Sequence, residues 1–162
     1  MLLRHGHSDS NESLPDAERP LSGRGRSEAR RLGGLLRRLG WKLDLVVSSS
    51  ALRARETAAL AAAGAGYSKK VRAEPRLYEN KTEGYLEVLR GLPARSSCVL
   101  LVGHNPALRE AAAALLGCLP ESFRLPPAAL ACLEVSGEDW ARLQPGTCAL
   151  QWLVTPELSA AS

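Results

Sequence analysis

The apolar run at residues 98–102 places the strongest constraint on how this 162-residue chain folds. An uninterrupted apolar segment of this length, without alternation, is typical of a strand buried on both faces of a sheet. It leads into Gly103-His104-Asn105-Pro106, where Asn105 suits a helix N-cap and Pro106 the first helical position. The segment therefore predicts a central strand followed directly by a helix.

The rest of the chain alternates between strand and helix patterns. Helical spacing of apolar residues, with glycines as stops, predicts helices at 22–39, 50–63, 82–91 and 106–116. Ser50 suits the N-cap of the second helix, and Arg30-Arg31 and Arg37-Arg38 are expected on the solvent face of the first. Short apolar segments predict strands at 1–3, 43–47, 70–73, 98–102, 130–135 and 150–154. This alternation predicts an α/β fold with a mostly parallel sheet, in one domain that spans residues 1–162.

Composition sets looser bounds on function. The net charge of +4 favours acidic substrates, but no run of Lys and Arg with interleaved aromatics indicates nucleic-acid binding. No stretch has the length and apolarity of a membrane span, and we expect no signal peptide, because the chain opens almost directly on a motif. Four cysteines without a C-x-x-C pattern predict buried thiols in a reducing compartment. We expect a cytoplasmic protein, with an organellar one that has lost a transit peptide as the alternative.

Polar side chains cluster where predicted strands meet the following segments, after Leu3, Val47 and Val102. The carboxyl ends of parallel strands meet at one edge of a sheet, and open α/β folds bind ligands there. Arg4-His5 and His104 lie at two of these junctions, and Arg53 lies in the first turn of a helix at the third. Two helix N-termini add partial positive charge. The spacing therefore predicts a phosphate pocket.

Four motifs in the order found here resemble the histidine phosphatase superfamily, also called phosphoglycerate mutase-like. The first is similar to R-H-G-x-S-x-x-N, the second to "RPL(S/T)xxG", the third to "SSxxxRAxxT", and the fourth is a second-histidine motif. In this chain they are Arg4-His5-Gly6-His7-Ser8-Asp9-Ser10-Asn11, Arg19-Pro20-Leu21-Ser22-Gly23-Arg24-Gly25, Ser48-Ser49-Ser50-Ala51-Leu52-Arg53-Ala54-Arg55-Glu56-Thr57 and Gly103-His104-Asn105-Pro106.

The short spacing between the motifs resembles one branch of that superfamily. Only 45 residues separate Thr57 from Gly103, and a late stretch runs from Pro127 to Leu130, as in the SixA-type phosphohistidine phosphatases. The resemblance implies a three-layer α/β/α sandwich and a phosphatase that works through a phosphohistidine intermediate. Its substrate would be phosphohistidine on a protein. We expect no cofactor, no metal, no membrane association and a monomer.

The resemblance also assigns roles to individual residues. His5 is the expected nucleophile, because a neutral imidazole nitrogen can attack phosphorus and later leave. Arg4, Arg53 and His104 are expected to hold the transferring phosphoryl group, whose charge spreads over three oxygens. Three further residues are expected to add hydrogen bonds to the substrate, namely Ser8, Asn11 and Asn105. For Ser8 and Asn11, a role as loop residues alone is equally consistent with the sequence.

The catalytic glutamate of the family has no clear match in this chain. Leu77-Tyr78-Glu79 resembles its surroundings only loosely, and this makes Glu79 the best candidate for the general acid, with Glu83 behind it. The alternative is that both are exposed carboxylates without a catalytic role. A site with a weak acid is expected to prefer leaving groups that need no proton, such as the imidazole of phosphohistidine.

Other functions remain open at this point. The pocket also fits a phosphatase of small phosphomonoesters, or a non-catalytic module that binds phosphoproteins. His5, His7 and His104 together have the composition of a three-histidine metal site, which would be a rival chemistry. If His7 is no ligand, we expect it to face solvent at the pocket mouth. Arg53, for its part, has an alternative role in a surface ion pair with Glu56.

Overall fold

A computed structural model describes residues 1–10, 13–137 and 139–160, without the side chains of residues 159–160. In this part of the chain six strands form one sheet: β1 (Leu2–Arg4), β2 (Leu45–Ser49), β3 (Arg72–Glu74), β4 (Val99–Gly103), β5 (Leu130–Val135) and β6 (Cys148–Val154). The α-helices are α1 (Gly23–Arg38), α2 (Leu52–Gly64), α3 (Thr82–Arg90), α4 (Ala107–Leu116) and α5 (Pro156–Ala160). The α/β prediction is confirmed.

The sheet has the strand order β3-β2-β4-β1-β5-β6. Adjacent strands from β3 to β1 run parallel, whereas β5 runs antiparallel to both β1 and β6. Every residue of β4 is buried between its neighbours β2 and β1, as the apolar run at 98–102 predicts. The parallel part therefore has four strands, and their carboxyl ends lie at one edge of the sheet.

Alternate residues of the strands belong to two different apolar clusters, and each cluster also includes residues of the helices. Leu3 and Leu100 belong to a cluster with apolar residues of α1 and α2, whereas Leu2 and Leu101 belong to one with residues of α3 and α4. In α1 the buried residues include Leu32 and Leu36, while the predicted solvent-facing arginines Arg30, Arg31, Arg37 and Arg38 are exposed. Burying one such leucine contributes about 1.5–3 kcal/mol to stability.

The structure corrects two predicted helix caps. Ser22 is the N-cap of α1 and accepts a hydrogen bond from Gly25 N at 3.1 Å. Ser50 is not the cap of α2, which follows Ala51 and has no side-chain cap. Asn105 is not the cap of α4 either, because Pro106 precedes the helix and Asn80 Oδ1 accepts the hydrogen bond from Ala107 N at 3.3 Å. That cap comes from a residue distant in sequence, which local patterns do not reveal.

Strand β2 lies two residues later than the predicted 43–47, because its pairing with β4 sets its bounds. Leu45 pairs with Val99, and the preceding Asp44 binds the backbone N–H groups of Ser97 and Cys98, each at 2.9 Å. The shift places Ser48 and Ser49 inside the strand. It therefore puts the Ser49 side chain at the carboxyl edge of the sheet.

The cysteine prediction is correct for only one residue. Cys132 is buried, Cys98 and Cys148 are partly exposed, and Cys118 is exposed. These four thiols are free in the structure. Burial raises the pKa of Cys98, Cys132 and Cys148, which keeps these thiols protonated. Within the described residues, no helix combines the length and apolarity that crossing a membrane requires.

Candidate active site

His5 and His104 meet where β1 and β4 end, as their junction positions predict. The last residues of the two strands, Arg4 and Gly103, are paired in register, so the two histidines follow side by side. His5 N donates a hydrogen bond to Gly103 O at 3.1 Å. The centroids of the two imidazole rings lie 4.9 Å apart, with an angle of 54° between the ring planes.

A backbone carbonyl orients the ring of His5. Its Nδ1 lies 2.8 Å from Gly6 O, and a carbonyl can only accept, so Nδ1 carries the hydrogen. Burial and, to a smaller extent, the charges of Arg53 and Arg4 lower the pKa of His5 to about 4. The imidazole is therefore neutral at pH 7, with the lone pair on Nε2. A neutral Nε2 is the form of histidine that can act as a nucleophile.

The "SSxxxRAxxT" segment holds the loop that follows His5. Thr57 Oγ1 accepts a hydrogen bond from Gly6 N at 3.1 Å and donates one to Arg53 O at 2.7 Å. A Cβ on Gly6 would approach Gly25 O to 3.0 Å, so the loop packs tightly against the start of α1. The sequence motifs therefore contact one another in space, and their contacts fix the backbone beside the His5 ring.

Two residues that sequence analysis did not predict orient His104. Its Nε2 lies 2.8 Å from Ser49 Oγ, and its backbone N donates to Tyr85 Oη at 2.7 Å. Burial and the proximity of His5 and Arg53 lower the pKa of His104 to about 3, so this ring is also neutral. Its Nδ1 is buried and has no hydrogen-bond partner among the described residues. A buried polar atom without a partner is uncommon, and a bound ligand or water molecule would satisfy it.

Arg4 and Asn105 share one backbone anchor. Arg4 Nη1 donates to Leu125 O at 3.0 Å, and Asn105 Nδ2 donates to the same oxygen at 2.9 Å. The backbone of Arg4 is itself held by Ala129, whose carbonyl accepts from Arg4 N at 3.1 Å. In the described part of the chain, Arg4 Nε and Asn105 Oδ1 are buried without hydrogen-bond partners. The segment before β5 thus positions two of the predicted site residues.

Arg53 is nearly buried, with 10% of its side chain exposed, and it pairs with Asp16 rather than with Glu56. Its Nη1 donates to Asp16 O at 2.6 Å, and its Nη2 donates to Asp16 Oδ2 at 2.9 Å. Tyr78 Oη donates to the same Oδ2 at 3.1 Å. The surface ion pair with Glu56 is therefore not formed, and sequence analysis missed Asp16. An aspartate in a polar loop gives no local signal of such a role.

The two candidate acids lie in exposed ion pairs. Glu79 is 54% exposed and lies 3.2 Å from Lys81 Nζ, and Glu83 is 64% exposed and lies 2.7 Å from Arg90 Nη1. The neighbouring Tyr78 instead faces the site, with its ring centroid 6.0 Å from that of His104. Neither carboxylate contacts His5 or His104 in the hydrogen bonds and ion pairs of the described residues, so an acid role for Glu79 stays a prediction.

The two remaining predicted contacts lie in the loop after His5. Ser8 is partly buried, and its hydroxyl lies 3.5 Å from Arg19 Nη2, while its backbone bridges to Leu21. Asn11 lies outside the described residues. Ser8 therefore helps to hold the loop, whereas its expected contact with a substrate stays a prediction.

His7 belongs to a separate contact. Its Nδ1 lies 2.8 Å from Glu28 Oε2, and Glu28 is buried beneath it and also accepts from Arg24 Nε at 2.8 Å. His7 is 33% exposed, so it partly faces solvent. The described residues contain no group of three or more His, Cys, Asp or Glu side chains arranged to hold a metal ion. His7, in the loop before α1, therefore interacts with Glu28 of that helix.

A cavity of about 660 Å³ lies at the opposite end of the sheet, where β1 and β4 begin. Its lining includes Trp41, Trp140 and Cys132 but none of the predicted site residues. The charged side chains in this lining are the carboxylates of Glu134 and Asp139, which disfavour an anion. The two neutral histidines and the two arginines therefore remain the better site for a phosphoryl group.

Comparison with known proteins identifies a family and a fold. Residues 1–85 match the model of the histidine phosphatase superfamily (branch 1). An uncharacterised chloroplastic protein of Arabidopsis thaliana is 33% identical over 173 residues, which cover 98% of this chain and 78% of the plant protein.

Solved structures with the same fold include SixA proteins. A candidate phosphohistidine phosphatase SixA from Nakamurella multipartitia is 30% identical and superposes with a TM-score of 0.79, covering 96% of this chain and 95% of its own. The protein histidine phosphatase SixA complexed with tungstate has a TM-score of 0.82 over the same shares at 22% identity, which indicates a shared fold.

Proposed function

Because this chain belongs to the histidine phosphatase superfamily (branch 1), we propose that it is a phosphatase that forms a covalent phosphohistidine on His5. One observation carries the proposal: His5 Nδ1 donates to Gly6 O, so the neutral ring has its lone pair on Nε2. A fixed tautomer beside two arginines and a second buried histidine is the arrangement that nucleophilic attack on phosphorus needs.

In the first step, the His5 Nε2 lone pair attacks phosphorus while the bond to the leaving group breaks. The electron pair of that bond goes to the leaving group. In the second step, a water oxygen attacks phosphorus and the water gives up a proton. The P–N bond breaks, its electron pair returns to Nε2, and inorganic phosphate leaves. Arg4, Arg53 and His104 hold the three equatorial oxygens, and the unpartnered Arg4 Nε and His104 Nδ1 are available for them.

We propose phosphohistidine on a protein as the substrate. When a protonated phosphohistidine gives up its phosphoryl group, the leaving imidazole is neutral and needs no general acid. Alkyl esters leave as alkoxides, which need a proton. The candidate acids Glu79 and Glu83 lie in exposed ion pairs, and this favours the substrate that needs no acid. The structural similarity to SixA proteins supports the same substrate class.

A substrate panel tests the function. The wild-type protein is incubated with a phosphohistidine-bearing protein, an activated aryl phosphate and several alkyl phosphates, and kcat/KM is compared. We expect phosphohistidine and the aryl phosphate to react faster than the alkyl esters. If alkyl esters react fastest, the protein is instead a phosphatase of small phosphomonoesters. Binding of phosphoprotein without turnover of any substrate would identify a non-catalytic module.

A further inference from the structure

We propose that Asp16 is the catalytic base that accepts the proton of the attacking water in the second step. This inference rests on the proposed function, because it requires a phosphohistidine on His5. Asp16 lies in the loop between His5 and α1, at the start of a single 3-10 turn, Asp16–Glu18. Its carboxylate is bound by Arg53 and Tyr78, two residues at the site.

Asp16 lies close enough to both histidines for its charge to affect their pKa values. Its negative charge raises the pKa of His5 and of His104, against the larger effect of burial. The ring of Tyr78, which donates to Asp16 Oδ2, has its centroid 6.0 Å from that of His104. The carboxylate of Asp16 is thus hydrogen-bonded to Arg53, which is expected to hold the phosphoryl group.

The contact with Arg53 is compatible with phosphoryl binding. Asp16 uses one N–H of Nη1 and one of Nη2, while a guanidinium has five N–H donors. The other N–H groups of this guanidinium are not used by Asp16 and can bind phosphoryl oxygens. Asp16 and the phosphoryl group would then lie on the same guanidinium, so a water that approaches phosphorus there lies next to a carboxylate oxygen.

The charge state of Asp16 fits a base rather than an acid. The hydrogen bond from Arg53 lowers the pKa of Asp16, so the free enzyme holds it as a carboxylate. A phosphoryl group bound to Arg53 places further negative charge nearby and increases the proton affinity of this carboxylate. The side chain is 53% exposed, so water reaches it. The same carboxylate, once ionised, has no proton to give to a leaving group in the first step.

The step balances as follows. The water oxygen forms a bond to phosphorus, and one water proton moves to the Asp16 carboxylate. The bond between phosphorus and His5 Nε2 breaks, and its electron pair returns to Nε2. The product is inorganic phosphate. Asp16 then releases its proton to solvent, which restores the starting state.

Asp16→Asn separates the two steps. The amide keeps an oxygen that can accept from Arg53 and Tyr78, but it cannot take a proton. We expect phosphoenzyme formation to proceed at close to the wild-type rate, while its hydrolysis slows by about 10²-fold, typical of a lost general base. Rapid quench with a radiolabelled aryl phosphate then shows an acid-labile phosphohistidine on His5 that accumulates in the variant and not in the wild type.

Control variants separate this role from a structural one. Glu18 lies in the same turn, and Glu18→Gln should leave the rates of phosphoenzyme formation and hydrolysis unchanged. If Asp16 merely positions Arg53, Asp16→Asn will slow formation and hydrolysis of the phosphoenzyme alike, and this would overturn the proposal. Unchanged hydrolysis in Asp16→Asn would also overturn it. Wild-type turnover without any label on His5, or no turnover at all, would instead contradict the proposed function.

Discussion

The buried rings of His5 and His104 lie with their centroids 4.9 Å apart, and both are neutral at pH 7. Two cationic rings at this distance would repel each other, and the charges of Arg4 and Arg53 oppose protonation of either ring. The pair therefore provides one nitrogen lone pair, on His5 Nε2, and one neutral hydrogen-bonding ring.

The two histidines should titrate far below an ordinary histidine. Burial lowers the pKa of His5 to about 4 and that of His104 to about 3. NMR titration of the ring C–H resonances, assigned with His5→Ala and His104→Ala, should show neutral rings at pH 6. The unfolded chain takes up these protons near pH 6.5, so stability falls as the pH drops below that value. Midpoints near 6.5 in the folded protein would contradict the buried environment.

His5→Ala should abolish turnover and leave the fold intact, because it removes the proposed nucleophile from a strand end whose backbone contacts remain. Circular dichroism and the denaturant midpoint check the fold. During turnover of a radiolabelled substrate, the wild type should carry acid-labile label at His5 and the variant none. Substantial activity in a folded His5→Ala protein would exclude the covalent mechanism.

Arg53→Ala and His104→Ala should each reduce kcat/KM by about 10²–10³-fold if each residue contacts the transition state. Arg55→Ala, on the exposed side of the same helix, is the matched control for Arg53→Ala and should have little effect. Steady-state kinetics with an aryl phosphate measures these changes. Near-normal rates in both variants would mean that the phosphoryl group binds elsewhere.

Glu79→Gln tests the acid that sequence analysis favoured. A leaving-group series compares alkyl esters, aryl phosphates and phosphohistidine in the variant and the wild type. If Glu79 is the acid, the variant should lose most on alkyl esters and least on phosphohistidine. Its exposed pair with Lys81 leads us to expect no selective loss. An equal loss on all substrates would indicate structural damage.

Activity should need no metal, because Arg4 and Arg53 already supply permanent positive charge. Dialysis against a chelator should leave kcat/KM unchanged, and vanadate and tungstate should inhibit competitively because both mimic phosphate. Loss of activity after dialysis, with recovery on addition of zinc, would favour the alternative in which His5, His7 and His104 bind a metal.

The sequence alone predicted the elements with clear periodicity or a continuous apolar run. These include α1, α3, β4 and the antiparallel strand β5, whose patterns depend on which residues face solvent or the core. It also predicted that His5 and His104 would meet, because the ends of parallel strands lie at one edge. Such inferences need only local spacing and one rule of topology.

Tertiary structure decided which distant residues contact the site. Three contacts at the site join segments that are remote in sequence. They are the contacts of Asp16 with Arg53, of Ser49 with His104 Nε2, and of Tyr85 with the His104 backbone. The cap of α4 by Asn80 has the same origin. A side chain in a loop or on a helix has no local pattern that specifies its distant partner. Strand pairing and helix packing determine these contacts, and they therefore follow from the assembled sheet rather than from any one segment.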